Sequence, residues 1–372
     1  MNVLIALSHP AHYYLFKFFY KDLKSKGTDV RFVVREKDIL ESILISEKID
    51  YIKICKEVKR GSNKYSILFG AIKEMLIQDY NLWRYTIKWR PDIMLGTDIS
   101  ISHVGKLMRI PNIVLNEDDY EINKLFCVAT YPFTNHILTP RVCNVGKYTG
   151  KRIAYDGYQK IAYLHPNYFR PKESVLNSIG LNKDDHFYII RLVALNAVHD
   201  VEKNHSGVSI SLLKNIIKIL SSKGKVFITS EKGVLSEFKK YELKIKPNEI
   251  HDLMYYADMF ISDSQSMTVE SALIGTPSIR CSSFVGKINV LEELEHTYKL
   301  TFGVKPDNPK GVILKIEELL QLYNLKDEFR DRRDNMLKDK IDLTAFLLWI
   351  VNNYPKSINE VKNKSNYQSS FK

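Results

Sequence analysis

The chain has 372 residues, more than one ordinary hydrophobic core serves, so two domains are expected. Its 45% hydrophobic and 26% charged content is that of a soluble globular protein, and no apolar run is long enough to span a membrane. The net charge of +12 favours an anionic partner: nucleic acid, an acidic membrane face or a phosphorylated substrate. Twenty-two tyrosines and 17 phenylalanines, several beside lysine, keep adhesion to a membrane surface open. Cys55, Cys127, Cys143 and Cys281 are far apart. They fit neither a zinc site nor a disulfide framework and suit a reducing cytoplasm.

In chain order, residues 2–7 read as a first buried strand; the run is short and lacks the basic leader of a signal peptide. Ser8, His9, Pro10, Ala11 and His12 form the turn after it, and a helix with an aromatic, partly basic face runs from Tyr13 to Lys26. A strand over 29–34, a helix over 39–48 and a strand over 51–54 complete a β-α-β-α-β start, which predicts a parallel sheet flanked by helices. Residues 56–64 form a basic loop that is either a solvated face or a contact for an anionic acceptor or membrane. A long helical pattern over 66–89 follows, then a strand over 91–96, a helix over 102–109, a strand over 111–115, a helix over 120–128 and a short strand over 136–139.

Residues 155–158 and 164–171 carry aromatics and, in the second stretch, Pro166 and Pro171, without periodicity, as a connection between domains does. A second α/β series follows: a strand over 187–190, a helix over 208–222, a strand over 225–229, and helices over 232–239 and 249–257. Ile261 ends a further strand, and a helix over 267–274 stops at Gly275 before Pro277. Helices over 310–323 and 325–338 come next, then an apolar helix over 342–353 that can pack back on the first domain, and a polar, frayed tail over 356–372. The expected domains are therefore 1–160, 161–340, a returning helix over 341–355 and the tail.

Ligands of open parallel sheets bind beyond the carboxyl ends of the strands, and several polar groups fall there. Asp263, Ser264, Gln265 and Ser266 put hydroxyls and unpaired amides at a helix N-terminus, which is either a simple cap or an anion cradle. Glu270 lies on the order of 6 to 7 Å further along the axis, where a ribose diol next to a bound diphosphate would meet it. His12 begins a helix and is either a solvent-facing capping residue or a partner for phosphate or an acid/base. The 8–12 turn has no glycine, which excludes a dinucleotide fingerprint and a P-loop. Asp98 follows one strand and Glu117, Asp118 and Asp119 the next, with Glu121 just beyond. Adjacent strands lie about 4.8 Å apart, so Asp98 and Glu117 can share one site. Arg191 and Arg280 end strands of the second half, where guanidinium forks suit phosphate oxygens; Arg280 can instead pair with Glu292 or Glu293. His199 and His205 flank Asp200 as loosely placed, solvated residues. No pattern of metal ligands and no hydrolase elbow is present.

The stretch from Asp258 through Ile261–Glu270 to Gly275, Thr276 and Pro277 resembles the nucleotide-binding segment of GT-B-fold sugar-nucleotide enzymes, especially hydrolysing UDP-N-acetylglucosamine 2-epimerases. The opening at Ser8–Phe16, Tyr155–Tyr158, Tyr163–Pro166 and Arg191 after an apolar strand are similar to domain-of-unknown-function family 354 of that superfamily. The resemblance spans roughly residues 1 to 350. It implies two Rossmann-like domains facing a cleft, with the donor nucleotide on the second.

It also implies that Asp98, Glu117 and Glu121 are the acids of the catalytic side. Glu270 then binds the ribose, and Ser264, Gln265, Ser266 and Met267 bind the diphosphate. Two departures stand out. Gln265 and Ser266 replace a pair of glycines, and residues 191–196 replace a Gly-His-Arg-Arg segment of the epimerases. The expected activity is a glycosyltransferase using a UDP- or other NDP-sugar donor in cell-surface polysaccharide synthesis. It would act on a glycan or lipid-linked acceptor, without cofactor, metal or nucleic acid, at the cytoplasmic face of an anionic membrane. The alternatives are a UDP-HexNAc 2-epimerase and a non-catalytic sugar-nucleotide-binding protein.

Overall fold

The computed structural model describes residues 1–36, 38–56, 64–193, 207–231, 233–364 and 366–372. Most of the basic loop, and His199, Asp200 and His205, lie outside the described residues. The chain forms two compact units, Met1–Tyr163 with Ile341–Lys372, and Leu164–Lys340.

The first unit is a parallel sheet. In chain order it contains β1 (Asn2–Leu7), α1 (Pro10–Ser25), β2 (Asp29–Arg35), α2 (Asp38–Ser46), β3 (Tyr51–Cys55), α3 (Lys64–Lys88), β4 (Ile93–Gly96), α4 (Ser100–Met108), β5 (Asn112–Leu115), α5 (Lys124–Thr130), β6 (His136–Pro140), β7 (Arg152–Tyr155) and α6 (Ile161–Leu164). The spatial order is β3-β2-β1-β4-β5-β6-β7. Strand β1 shows why: Val3 to Leu7 are buried on both faces, as a central strand covered by helices on each side must be. Phe16 and Phe19 of α1 pack on one face, and Leu82 of α3 with Ile101 and Val104 of α4 on the other.

Helix α5 starts later than its sequence pattern suggests, because the Tyr120 amide is drawn to the Asn144 carbonyl and the 119–122 segment turns instead. The unit closes with α14 (Leu343–Asn352) and α15 (Lys356–Asn363), which come after the second unit in the chain. Asp342 caps α14 by accepting from the Ala345 amide, and Phe346 and Leu347 enter the core beside α1. The 356–372 segment is not a frayed tail. Tyr367 stacks on Phe346 and Trp349, and the buried Gln368 side chain donates to the Ala154 carbonyl and accepts from the Asp156 amide. Four apolar anchors, Ile358, Val361, Tyr367 and Phe371, hold a stretch whose average composition is polar.

The second unit holds α7 (Ser174–Asn177), β8 (Phe187–Leu192), α8 (Ile210–Leu220), β9 (Lys225–Ser230), α9 (Ile250–Tyr256), β10 (Met259–Ser262), α10 (Gln265–Ile274), β11 (Ser278–Cys281), α11 (Asn289–Glu292), β12 (Thr301–Val304), α12 (Pro309–Leu320) and α13 (Leu325–Asp339). Its strands are parallel in the order β12-β11-β10-β8-β9. Helix α8 shows the ordinary amphipathic rule, with Leu212, Leu213, Ile216, Ile217 and Leu220 inward and Ser209 capping the Leu212 amide. Helix α10 breaks it, since every residue from Thr268 to Ile274 is buried. The helix expected over 232–239 is a 3-10 turn at Ser236–Tyr241 with Phe238 as its one buried residue, too little apolar surface to hold α turns.

Candidate functional site

Each sheet has one place where the strand order reverses, and the connections leave in opposite directions there. In the first sheet it lies between β1 and β4, in the second between β8 and β10. Of the candidate residues, His12 and Asp98 follow β1 and β4 in the first unit, and Arg191 and Ser264–Met267 lie at the ends of β8 and β10 in the second; Glu117, Glu121, Glu270 and Arg280 lie elsewhere.

In the second unit Ser262 of β10 pairs with Arg191 of β8. Asp263 follows and accepts from the Val193 amide at 2.7 Å, tying the two strand ends together. Burial pushes the Asp263 carboxyl above its ordinary range, against that hydrogen bond. The described chain resumes at Gly207, where a Cβ would stand 2.7 Å from an Asp263 carboxylate oxygen, so only glycine allows that approach.

Ser264 is the N-cap of α10: its backbone is extended, and its hydroxyl accepts from the Met267 amide at 3.4 Å. No hydrogen bond reaches the amides of Gln265 and Ser266 among the described residues. The Gln265 side chain does not fill the space a glycine would leave open. It folds toward β11, donating to the Ser282 hydroxyl at 2.6 Å and accepting from Arg280 at 2.6 Å. Ser266 is exposed. Two donor amides at the positive end of a helix therefore remain available to an anion, although neither paired glycine is present.

Two expectations change. Arg280 is fully buried, with Glu292 at 3.6 Å, and braces Gln265 from below instead of facing a ligand. Burial lowers its pKa, with Glu295 and Glu292 opposing. The bland pairing with Glu292 is the one observed, while Glu293 pairs with Lys340. Arg191 turns along the sheet toward β9, donating to Thr229 at 2.9 Å and meeting Glu231 at 3.4 Å. Glu270 is buried near the middle of α10, 3.2 Å from the His251 ring on α9. His251 was not singled out from the sequence. Only the turn at Pro247–Glu249 ahead of α9 marks its helix, and nothing in the spacing reveals that it faces Glu270.

In the first unit, Gly96 brings β4 against β1: a Cβ there would lie 2.5 Å from the Ala6 carbonyl. Beyond it Thr97 bonds His12, which also receives the Ser8 amide at 3.3 Å, both at Nδ1. An amide can only donate, so Nδ1 accepts and the neutral ring carries its proton on Nε2. Asp98 is buried and accepts from the Ser100 amide at 2.9 Å and hydroxyl at 2.6 Å with one oxygen. Burial holds its carboxyl above the ordinary range despite those bonds.

Strands β4 and β5 are adjacent, so Asp98 and Glu117 end neighbouring strands. Glu117, however, is committed: it accepts from the Gln159 amide at 2.6 Å and is ion-paired with Lys160. Glu121 stands apart, its side chain 72% exposed beside Lys124. Among the described residues, no three His, Cys, Asp or Glu side chains converge as metal ligands.

A family model described as "Protein of unknown function (DUF354)" matches residues 1–291. The chain belongs to the DUF354 family. No curated protein sequence matches it. Solved structures similar to this DUF354 chain include the S. aureus MnaA–UDP co-structure, at 14% identity and TM-score 0.65, covering 98% of each chain. A UDP-GlcNAc 2-epimerase from Neisseria meningitidis bound to UDP-GlcNAc matches at 12% identity and TM-score 0.60, covering 91% of this chain and 100% of its own. The Streptomyces sp. SF2575 glycosyltransferase SsfS6, complexed with thymidine diphosphate, matches at 12% identity and TM-score 0.59, covering 93% and 99%. The DUF354 chain thus has the α/β GT-B-like fold, with two Rossmann-like parallel sheets.

Proposed function

We propose that this protein is a glycosyltransferase that uses a UDP- or other NDP-sugar donor to build cell-surface glycans, on a glycan or lipid-linked acceptor. The observation that carries the reading is the N-terminus of α10. Among the described residues no bond reaches its Gln265 and Ser266 amides, and the Gln265 side chain is held out of their way by Arg280 and Ser282. The diphosphate sits on these amides, where the helix dipole takes part of the charge that grows as the diphosphate leaves. Buried Glu270 accepts from the ribose hydroxyls, and His251 orients its carboxylate.

Transfer breaks the bond from the sugar C1 to the diphosphate oxygen and forms one from C1 to an acceptor oxygen, whose proton must go to a base. Asp98 suits that role, since burial raises its proton affinity and one oxygen alone takes both Ser100 bonds. With its proton on Nε2, His12 is a donor to an anionic oxygen instead of the base. The 2-epimerase reading is less well supported, because Glu117 is tied to Lys160 and Glu121 is solvent-facing.

The test is incubation with several NDP-sugars, with and without lipid-linked acceptors, followed by NMR of nucleotide and sugar. Acceptor-dependent release of NDP is expected. Release with a 2-epimerised sugar and no acceptor would assign the epimerase instead, and no binding of any NDP-sugar would overturn both. Glu270→Ala should weaken UDP binding at least about tenfold by calorimetry, the worth of a hydrogen bond to a charged group. Unchanged affinity would remove Glu270 from the ribose.

A further inference from the structure

Helix α3 inverts the usual pattern of a surface helix. Its outward residues include Phe69, Ile72, Leu76, Tyr80 and Ile87, with Phe69 71% and Leu76 58% exposed. They recur at helical spacing, so they form one stripe. Phe69, Ile72, Lys73, Leu76, Ile77 and Tyr80 line a shallow groove of about 450 Å³ along it. The other exposed side chains of the described part of the stripe are cations: Lys73, Arg84 and Lys88. No ion pair reaches any of the three among the described residues, and Arg84 lies over the Tyr80 ring. Both carboxylates of α3 are turned away from the stripe. Glu74 is 2% exposed and paired with Arg35, and Asp79 holds His103 of α4 at 2.8 Å. The neighbouring α4 has no carboxylate and exposes Lys106 and Leu107.

We infer that this face of α3 docks on an anionic lipid surface. An apolar stripe studded with cations and cleared of carboxylates matches a bilayer whose headgroups are negative and whose interior accepts Phe69, Leu76 and Tyr80. A second copy of this chain fits worse. A twofold contact sets Lys73, Arg84 and Lys88 of both copies against one another with no acid on either face to offset them. The inference is independent of the nucleotide-sugar reading, since none of these residues belongs to that site.

The experiment is co-sedimentation of the full chain with vesicles of phosphatidylglycerol and phosphatidylcholine, and with phosphatidylcholine alone. Binding to the anionic vesicles is expected, weakening as salt is raised. The double variant Phe69→Glu, Leu76→Glu should lose at least about tenfold in partitioning. Arg84→Ala should lose about fivefold, the worth of one basic residue near such a surface. Both substitutions are on exposed positions, and thermal melting with UDP binding on the same proteins shows that fold and nucleotide site are intact. Wild-type protein left in the supernatant, or a double variant that binds as well as wild type, overturns the inference. So does a dimer that the double variant converts to monomer while vesicle binding is absent, which assigns the face to a second copy.

Discussion

The two units share one topology at their strand-order reversals, yet their first helices after β1 and β10 end differently. In α1 the first position is Pro10, which has no amide hydrogen. The Ala11 amide is taken by the His9 ring at 3.2 Å, and the His12 amide by the His9 carbonyl at 3.0 Å. In α10 the Met267 amide is taken by Ser264, and among the described residues no bond reaches the two before it. A parallel sheet supplies the place for a ligand, but the capping residues decide whether the helix end there still has donors to give. The first unit instead offers side chains at its reversal, the ring of His12 and the carboxyl of Asp98.

The contrast can be broken most strongly at Gln265. Gln265→Leu removes the acceptor for the buried Arg280, and urea unfolding should show a loss of about 3 kcal/mol. A loss below about 1 kcal/mol would mean that Arg280 is satisfied elsewhere. Gln265→Pro gives α10 the first residue of α1. It loses the same brace, so its further loss of UDP affinity relative to Gln265→Leu, about tenfold, reads the missing amide alone. Equal affinities would place the diphosphate elsewhere.

A smaller effect compares Asp98 with Asp263. Burial holds each carboxyl above its ordinary value of 3.8, so the folded state binds that proton more tightly than the unfolded chain. The stability each contributes is full below pH 3.8 and is lost as pH rises through the folded value. Urea melts taken stepwise upward from pH 3.8 should therefore fall less steeply in Asp98→Asn and in Asp263→Asn; an unchanged slope would show that the carboxyl titrates normally. The mildest change is His9→Ala. It should cost α1 about 1 kcal/mol of stability and leave UDP affinity untouched, since no open amide is involved.

Most parallel strands and helices are legible because burial on both faces leaves continuous apolar runs, and because Ser264, Gly275 and Pro277 punctuate α10 locally; β7 and β12 are not, since these short edge strands carry no such run. What escaped depends on partners distant in the chain. From the sequence Arg280 stays open between a phosphate and Glu292 or Glu293 until Gln265 and Glu292 are found against it, and Glu117 reads as a catalytic acid until Lys160 is found beside it. His251 carries no local mark at all, because its meaning comes from Glu270 on another helix. The C-terminal segment reads as a polar tail for a related reason: its average polarity hides the apolar anchors Ile358, Val361, Tyr367 and Phe371.

The return of Ile341–Lys372 to the first unit has a consequence for the order in which the chain can fold. The second unit is continuous in sequence and can close as soon as its own residues have left the ribosome. The first cannot, because Phe346, Leu347 and Ile350 belong to its core and are made after everything in the second unit. Until they arrive, helix α1 lacks α14, the helix that packs against it. The nascent N-terminal half is therefore the part most in need of a chaperone, and a chain stopped before α14 would leave α1 without it.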